Sequence, residues 1–215
     1  MNATFPIRLA LPPRGVLTPN NADDPLPYYY DPRVGWLYRH RLQMGLDLLP
    51  PGGKRILEIG VGSGVLVPTL TAHYPSYVGT DLELASGLPA LVRPPCEAQF
   101  RTADLLADDL PAASFDAIVC FSVLEHIADV DGAARGLARL LAPGGTLVTG
   151  YPMVNPAMSR AFALIGFSGI DNHHVSPPSR IHAALARHLR PRGRSAFPPF
   201  APVPLALYQC SAWTL

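Results

Sequence analysis

The residues best placed to do chemistry gather where a short apolar run ends. Residues 56–64 read ILEIGVGSG, so Glu58 is followed by Gly60, Gly62 and Gly64. A strand turning sharply into a helix needs glycine where a side chain would clash. It also leaves backbone N–H groups at the helix start, at the strand end where open parallel sheets bind ligands. The dinucleotide pattern GxGxxG fails here, because its sixth position is Val65. A tight turn without a ligand is the plain alternative. Asp81 ends the next strand-like run, SYVGTD. An acid there can accept both hydroxyls of a ribose, or else cap the ELASGL segment that follows.

Strand-like runs at 55–60, 76–81, 99–104, 116–121 and 146–151 must position these groups, with helix-like runs at 64–74, 84–92 and 130–141 between them. Alternation of this kind implies parallel strands joined by right-handed crossovers. The run DAIVCF (116–121) is apolar throughout, as a strand covered on both faces should be. An earlier helix is expected over 33–49, stopped by Pro50-Pro51-Gly52-Gly53. Residues 156–165 read as a short apolar helix. Ser176-Pro177-Pro178 then reads as an N-cap with prolines in the first turn, opening a helix to about His188. Runs at 194–200 and 205–214 complete the pattern as two final strands, the second antiparallel. The proline-rich, tyrosine-rich stretch 1–32 is expected as an N-terminal arm over a single domain of residues 33–215.

The spacing GxGxG after an acid resembles motif I of the class I, Rossmann-like S-adenosylmethionine-dependent methyltransferases of small-molecule type. FDAIVCFSVLEHI (115–127) resembles motif IV of that family, and LLAPGGTLV (140–148) its fifth-strand approach. The resemblance covers roughly residues 50–152. It implies a three-layer α/β sandwich with a mostly parallel seven-stranded sheet and an antiparallel last strand. It also implies S-adenosyl-L-methionine as cofactor and S-adenosyl-L-homocysteine as product. Glu58 would then sit near the methionine ammonium, with the backbone of Gly60, Gly62 and Gly64 passing close to the methionine and ribose. Asp81 would take the ribose, Asp104 the adenine amino group, and Leu82 and Leu105 the faces of the adenine ring. Phe121 and Ser122, with Val123, would lie beside the sulfonium.

Methyl transfer of this kind is an in-line displacement, so the protein's task is to align the reacting atoms and exclude water. A hydroxyl or protonated amine nucleophile also benefits from a base within reach. His173 and His174 are the candidate bases by intrinsic pKa, with a polar loop pair as the ordinary alternative. His126, in the LEH motif, is expected near the site, where a structural bond to backbone serves as well. Tyr28, Tyr29 and Tyr30 can bring ring faces and hydroxyls to an acceptor pocket, or simply pack the arm. Tyr151 and Asn155, at the start of the apolar stretch 151–170, join them as candidate acceptor contacts. Arg39 or Arg41 can reach the methionine carboxylate; solvent exposure is the alternative.

Composition narrows the partners. Hydrophobic residues make up 48% of the 215 and charged residues 15%, the balance of a folded domain and not of a disordered one. A formal net charge of +1 leaves no basic stripe to follow a phosphate backbone, which argues against nucleic acid. Cys96, Cys120 and Cys210 form no CxxC pair, so neither a zinc site nor a disulfide framework is expected. No charged-then-apolar leader opens the chain and no stretch suits a membrane span, so the expected setting is the cytoplasm. The expected acceptor is a small, fairly hydrophobic metabolite of a biosynthetic pathway. The rival readings are a methyltransferase-like binding domain without turnover, a nicotinamide-dependent reductase and a protein-modifying enzyme.

Overall fold

The computed structural model describes residues 6–50, 52–105, 110–153, 175–200, 202 and 205–215. Seven strands form one sheet: β1 Arg55–Ile59, β2 Ser76–Asp81, β3 Glu97–Thr102, β4 Phe115–Phe121, β5 Leu141–Pro152, β6 Arg190–Phe197 and β7 Tyr208–Thr214. Their order is β3-β2-β1-β4-β5-β7-β6. The first five run parallel, and β7 lies antiparallel between β5 and β6. The order reverses beside β1, so the carboxyl ends of β1, β2 and β4 open a crevice at a topological switch point.

Successive residues of each strand point to opposite faces, and two cores result. Ile56, Tyr77, Val119 and Val148 face one side. They are covered by α2 (Gly35–Leu46), α3 (Val67–Thr71) and the N-terminal segment through Ile7, Leu17, Leu26 and Tyr29. Leu57, Val78, Ile118 and Trp213 face the other. They are covered by α4 (Val130–Leu140) and α5 (Pro178–His188). Apolar Val130, Ala133, Ala134, Leu137 and Leu140 recur at helical spacing on α4, and Asp129 caps it by accepting from Gly132 N at 2.9 Å. The segment before α2 contains one further short helix, α1 (Leu26–Tyr29). Both faces of the sheet are thereby covered, which is the three-layer sandwich expected.

Several elements depart from the periodic reading. The expected helix at 64–74 contracts to the five residues of α3. The 84–92 stretch is a 3-10 turn, Leu88–Leu91, after left-handed Gly87. Strand β5 starts earlier than the apolar run suggested, with its pairing register shifting beside Phe115. Strand β6 takes in Arg190-Pro191-Arg192. A proline and charged residues are tolerated there because β6 is the outermost strand. Ser176 does not cap α5: its hydroxyl donates to Ile127 O at 2.7 Å, and Pro177 holds the cap position without a side-chain bond. The helix expected at 156–165 lies outside the described residues.

Candidate active site

A cavity of about 560 Å³ lies over the carboxyl ends of β1, β2 and β4, roofed by α2 and the segment around Asn20–Asp24. Its floor is the glycine loop. Gly60 N and Val61 N donate to Thr80 O at 2.8 and 3.1 Å, and Gly64 N donates to Val61 O at 2.9 Å. Gly62 N donates to Asp81 Oδ2 at 2.7 Å. These four amides are therefore already used within the protein. Gly60 sits at φ +78, and a Cβ there would lie 2.3 Å from Val123 Cγ2. Only glycine lets the loop pass beneath β4's continuation.

Carboxylates dominate this end. Glu58 is buried, and Tyr77 donates its phenol to Glu58 Oε2 at 2.6 Å. Burial lifts the Glu58 carboxyl to about 8, with Tyr77's hydrogen bond opposing and the Asp81 charge adding to the rise. Asp81 also accepts from Glu83 N at 3.4 Å through its other oxygen. Asp24, from the N-terminal segment, accepts from Leu26 N at 2.8 Å and from Ser63 Oγ at 3.3 Å. It thus ties that segment to the glycine loop, a contact with no signal in the sequence. Leu82, Asp104 and Leu105 line the same cavity, next to Ala103, whose N–H donates to Asp81 O at 2.9 Å.

At the end of β4, Phe121 and Ser122 line the middle of the cavity. Ser122 sits at φ +55, a conformation that costs a non-glycine residue energy and recurs at functional sites. Its N–H donates to Gly150 O at 2.7 Å, and its hydroxyl lies 3.2 Å from Tyr208 Oη. The 3-10 turn Leu124–His126 follows. Its Glu125 is 3% exposed and lines the cavity. Both carboxyl oxygens lack a hydrogen-bond partner. Burial lifts this carboxyl to about 8, against the pull of its own backbone amide and the Arg41 charge. The Glu125 carbonyl meanwhile accepts from Val175 N and Ser176 N, at 2.9 and 3.0 Å, anchoring the approach to α5.

Nine of the ten expected cofactor positions line the cavity; the tenth, Gly64, faces Leu88 and Leu91. Of the three adjacent tyrosines, Tyr29 lines it. Tyr30 instead donates to Pro12 O at 2.7 Å, and Tyr28 packs on Tyr38 with ring centroids 5.2 Å apart. Tyr151 is buried in the α4–α5 core, accepting from Gln209 Nε2 at 3.2 Å. His126 is exposed and lines the cavity. Arg41 lines it too, whereas Arg39 donates to Tyr29 O at 2.6 Å. Asn155, His173 and His174 lie outside the described residues. Glu125, Tyr38 and Tyr208 were not singled out from the sequence. Tyr38 and Arg41 at i, i+3 share a helix face, but nothing local brings Tyr208 to them. Among the described residues, no group of His, Cys, Asp and Glu is arranged to hold a metal, and no helix is long and apolar enough to cross a membrane.

Sheet order, glycine loop and acid-lined cavity together define a class I, Rossmann-like cofactor-binding fold. Residues 37–194 match the family model described as a methyltransferase domain, and the chain belongs to that family. A ubiquinone biosynthesis O-methyltransferase of Paracidovorax citrulli is 33% identical over 119 residues, covering 53% of this chain and 46% of its own. An uncharacterised methyltransferase of Mycobacterium bovis is 33% identical over 118 residues, 52% of this chain and 56% of its own. The chain spans about half the length of the curated relatives it matches. The N-methyltransferase NodS of Bradyrhizobium japonicum, crystallised with S-adenosyl-L-homocysteine, superposes with a TM-score of 0.61 at 20% identity, covering 89% of this chain and 91% of its own.

Proposed function

We propose that this protein is a cytoplasmic enzyme that moves a methyl group from S-adenosylmethionine to a hydroxyl of a small, largely apolar metabolite in a biosynthetic pathway. The observation that carries this reading is the chemistry of the loop end of the cavity. Gly60, Val61, Gly62 and Gly64 have spent their amides, and Glu58 and Asp81 stand beside them. A dinucleotide diphosphate needs free N–H groups or cations at that place. A ligand offering an ammonium and ribose hydroxyls meets the acceptors that are there.

When bound, the cofactor supplies a methyl carbon activated by its sulfonium. Glu58, oriented by Tyr77, takes the ammonium. Asp81 takes the ribose hydroxyls, Leu82 and Leu105 flank the adenine, and Asp104 accepts from its amino group. Phe121 and Ser122 border the reacting centre and exclude water from it. Tyr29 belongs to the acceptor side with the arm of residues 1–32, over a single domain of residues 33–215. Asn155 is kept there as well, and His173 and His174 as the proton acceptors. The hydroxyl as accepting group follows the O-methyltransferase relative.

Calorimetric titration with S-adenosylhomocysteine, with NADH as control, tests the reading. One-to-one binding of the first and none of the second is expected. NADH binding without S-adenosylhomocysteine binding would replace methyl transfer with nicotinamide chemistry.

A further inference from the structure

Beside the mouth of the cavity, large apolar side chains stand in water. Strand β6 runs parallel to β5, because both are antiparallel to β7. The connection from Phe197 to Tyr208 therefore lies at the carboxyl ends of the parallel strands, where the cavity opens. The start of α2 lies there too. The Trp36 ring meets Phe197 edge-on with centroids 5.7 Å apart, and His40 meets the same ring at 5.1 Å. Leu207 N donates to Phe197 O at 2.7 Å, and Leu37 and Leu207 line the cavity. The rim next to them is bare: Trp36 is 53% exposed, Leu205 54% and Phe200 87%. Clustered apolar exposure of this kind marks a docking face.

The charge around the rim has one sign. Residues 32–46 and 172–215, which supply it, contain no Asp or Glu. Arg33, Arg39 and His40 are exposed beside Trp36. The adjoining acid in the chain, Asp31, is spent on the start of α2, accepting from Arg33 N and Val34 N at 2.7 and 3.2 Å. Two copies of the chain meeting through this face would set cations against cations. An anionic bilayer meets both features, because aromatic rings sink to the headgroup boundary while arginines stay level with the phosphates. The indole N–H already donates to Arg33 O at 3.1 Å, so sinking the ring strands no donor.

We infer that the rim carrying Trp36, Phe200 and Leu205 docks on an anionic lipid bilayer and seats the mouth of the cavity on its surface. Docking of this kind is shallow and reversible and needs no spanning segment. It sets the apolar wall of Leu37, Pro152 and Leu207 next to the hydrocarbon, so an apolar acceptor enters without crossing water. That last step rests on the methyl-transfer reading above; the docking does not.

The probes are vesicles of phosphatidylglycerol and phosphatidylcholine in equal parts, and vesicles of phosphatidylcholine alone. Binding of the full chain is followed by co-sedimentation and by quenching of indole fluorescence with brominated lipid. The other tryptophan, Trp213, is fully buried, so quenching reports Trp36. The wild-type protein is expected to bind the anionic vesicles at least about tenfold more tightly than the neutral ones, with Trp36 quenched. Trp36→Ser and Phe200→Ser should each weaken that binding about tenfold, and Arg33→Gln about fivefold. Leu215→Ser, an exposed position at the opposite end of β7, should leave it unchanged. In all these variants affinity for S-adenosylhomocysteine without vesicles should stay within about twofold of wild type. No binding to anionic vesicles, binding without quenching of Trp36, or full binding by Phe200→Ser overturns the proposal. So does a dimer in solution that Trp36→Ser abolishes, which would assign the face to a second copy. Binding of poly-glutamate as tight as that of vesicles, and indifferent to Trp36→Ser, overturns it in favour of an acidic protein. Should Trp36→Ser fail to fold, Phe200→Ser and the wild-type quenching decide. Failure of the wild type to bind S-adenosylhomocysteine strikes the methyl-transfer reading, and vesicle binding still judges the rim.

Discussion

Tyr77 and Glu58 are joined by a buried hydrogen bond, 2.6 Å from phenol to carboxyl oxygen, between neighbouring strands of the sheet. Glu58 stands opposite Gly79 in the register. A Cβ on Gly79 would lie 2.7 Å from the Tyr77 hydroxyl, so the missing side chain is what lets the phenol reach across. The result is a carboxyl aimed at the cavity, held by one donor and kept protonated by burial at about 8.

A bound ammonium must expel that proton. Binding of S-adenosylhomocysteine at about pH 7 should therefore release close to one proton to the buffer. Calorimetry in Tris should show a more exothermic binding heat than in phosphate, and Glu58→Gln should erase the difference. Identical heats in the two buffers would place the ammonium elsewhere.

Tyr77→Phe removes the donor that orients Glu58. One hydrogen bond to a carboxyl in a buried setting contributes on the order of 1 kcal/mol, so affinity for S-adenosylhomocysteine should fall about fivefold. Unchanged affinity with unchanged stability would make the bond a packing feature only.

Asp81→Ala removes the acceptor proposed for the ribose hydroxyls and orphans the Gly62 amide in the same step. The expected loss of cofactor affinity is about 10-fold to 100-fold, with Asp81→Asn between the two. Wild-type affinity in the alanine variant would sink the ribose assignment.

Gly60→Ala puts a Cβ at φ +78, 2.3 Å from Val123 Cγ2. Strained backbone and displaced valine together should cost about 2 kcal/mol, lowering Tm by about 4–8 °C. Adding Val123→Ala should recover the steric part and leave the backbone part. A Gly60→Ala protein as stable as wild type would show that the loop has room to move.

Glu58 and Glu125 both hold folded-state values near 8, well above an ordinary carboxyl, because each is buried. Between about pH 4.5 and pH 8 the folded chain binds more protons at these sites than the unfolded chain does. Stability from these two groups is thus present at the acid end of that window and declines as pH rises through it. Glu125→Gln should flatten the decline and raise Tm relative to wild type at about pH 8, by roughly 5 °C. A parallel decline in both proteins, measured by thermal melts across the window, would remove Glu125 as its source.

Local signals in the chain determined the cofactor end of this protein. An apolar strand run can only end in a few ways, and acid plus glycines at that end mark the turn; hence Glu58, Gly60, Gly62 and Asp81 were legible as neighbours of one crevice, and the resemblance of FDAIVCFSVLEHI to motif IV added Phe121 and Ser122. Alternating strand and helix periods likewise carried the sheet. Tertiary structure alone decided the other end. Which of Tyr28, Tyr29 and Tyr30 faces the cavity depends on the path of the N-terminal segment, and that path is held by Asp24 on Ser63 and Asn20 on Glu83 O, pairings across 39 and 63 residues. Arg41 looks like a surface cation on a helix until Tyr208 arrives from β7 to close its box. Glu125 looks like an exposed acid until α5 packs on the turn that carries it. Strand and turn chemistry is written in neighbouring residues, whereas burial of a charge depends on every segment packed around it, and no short window of sequence contains them all.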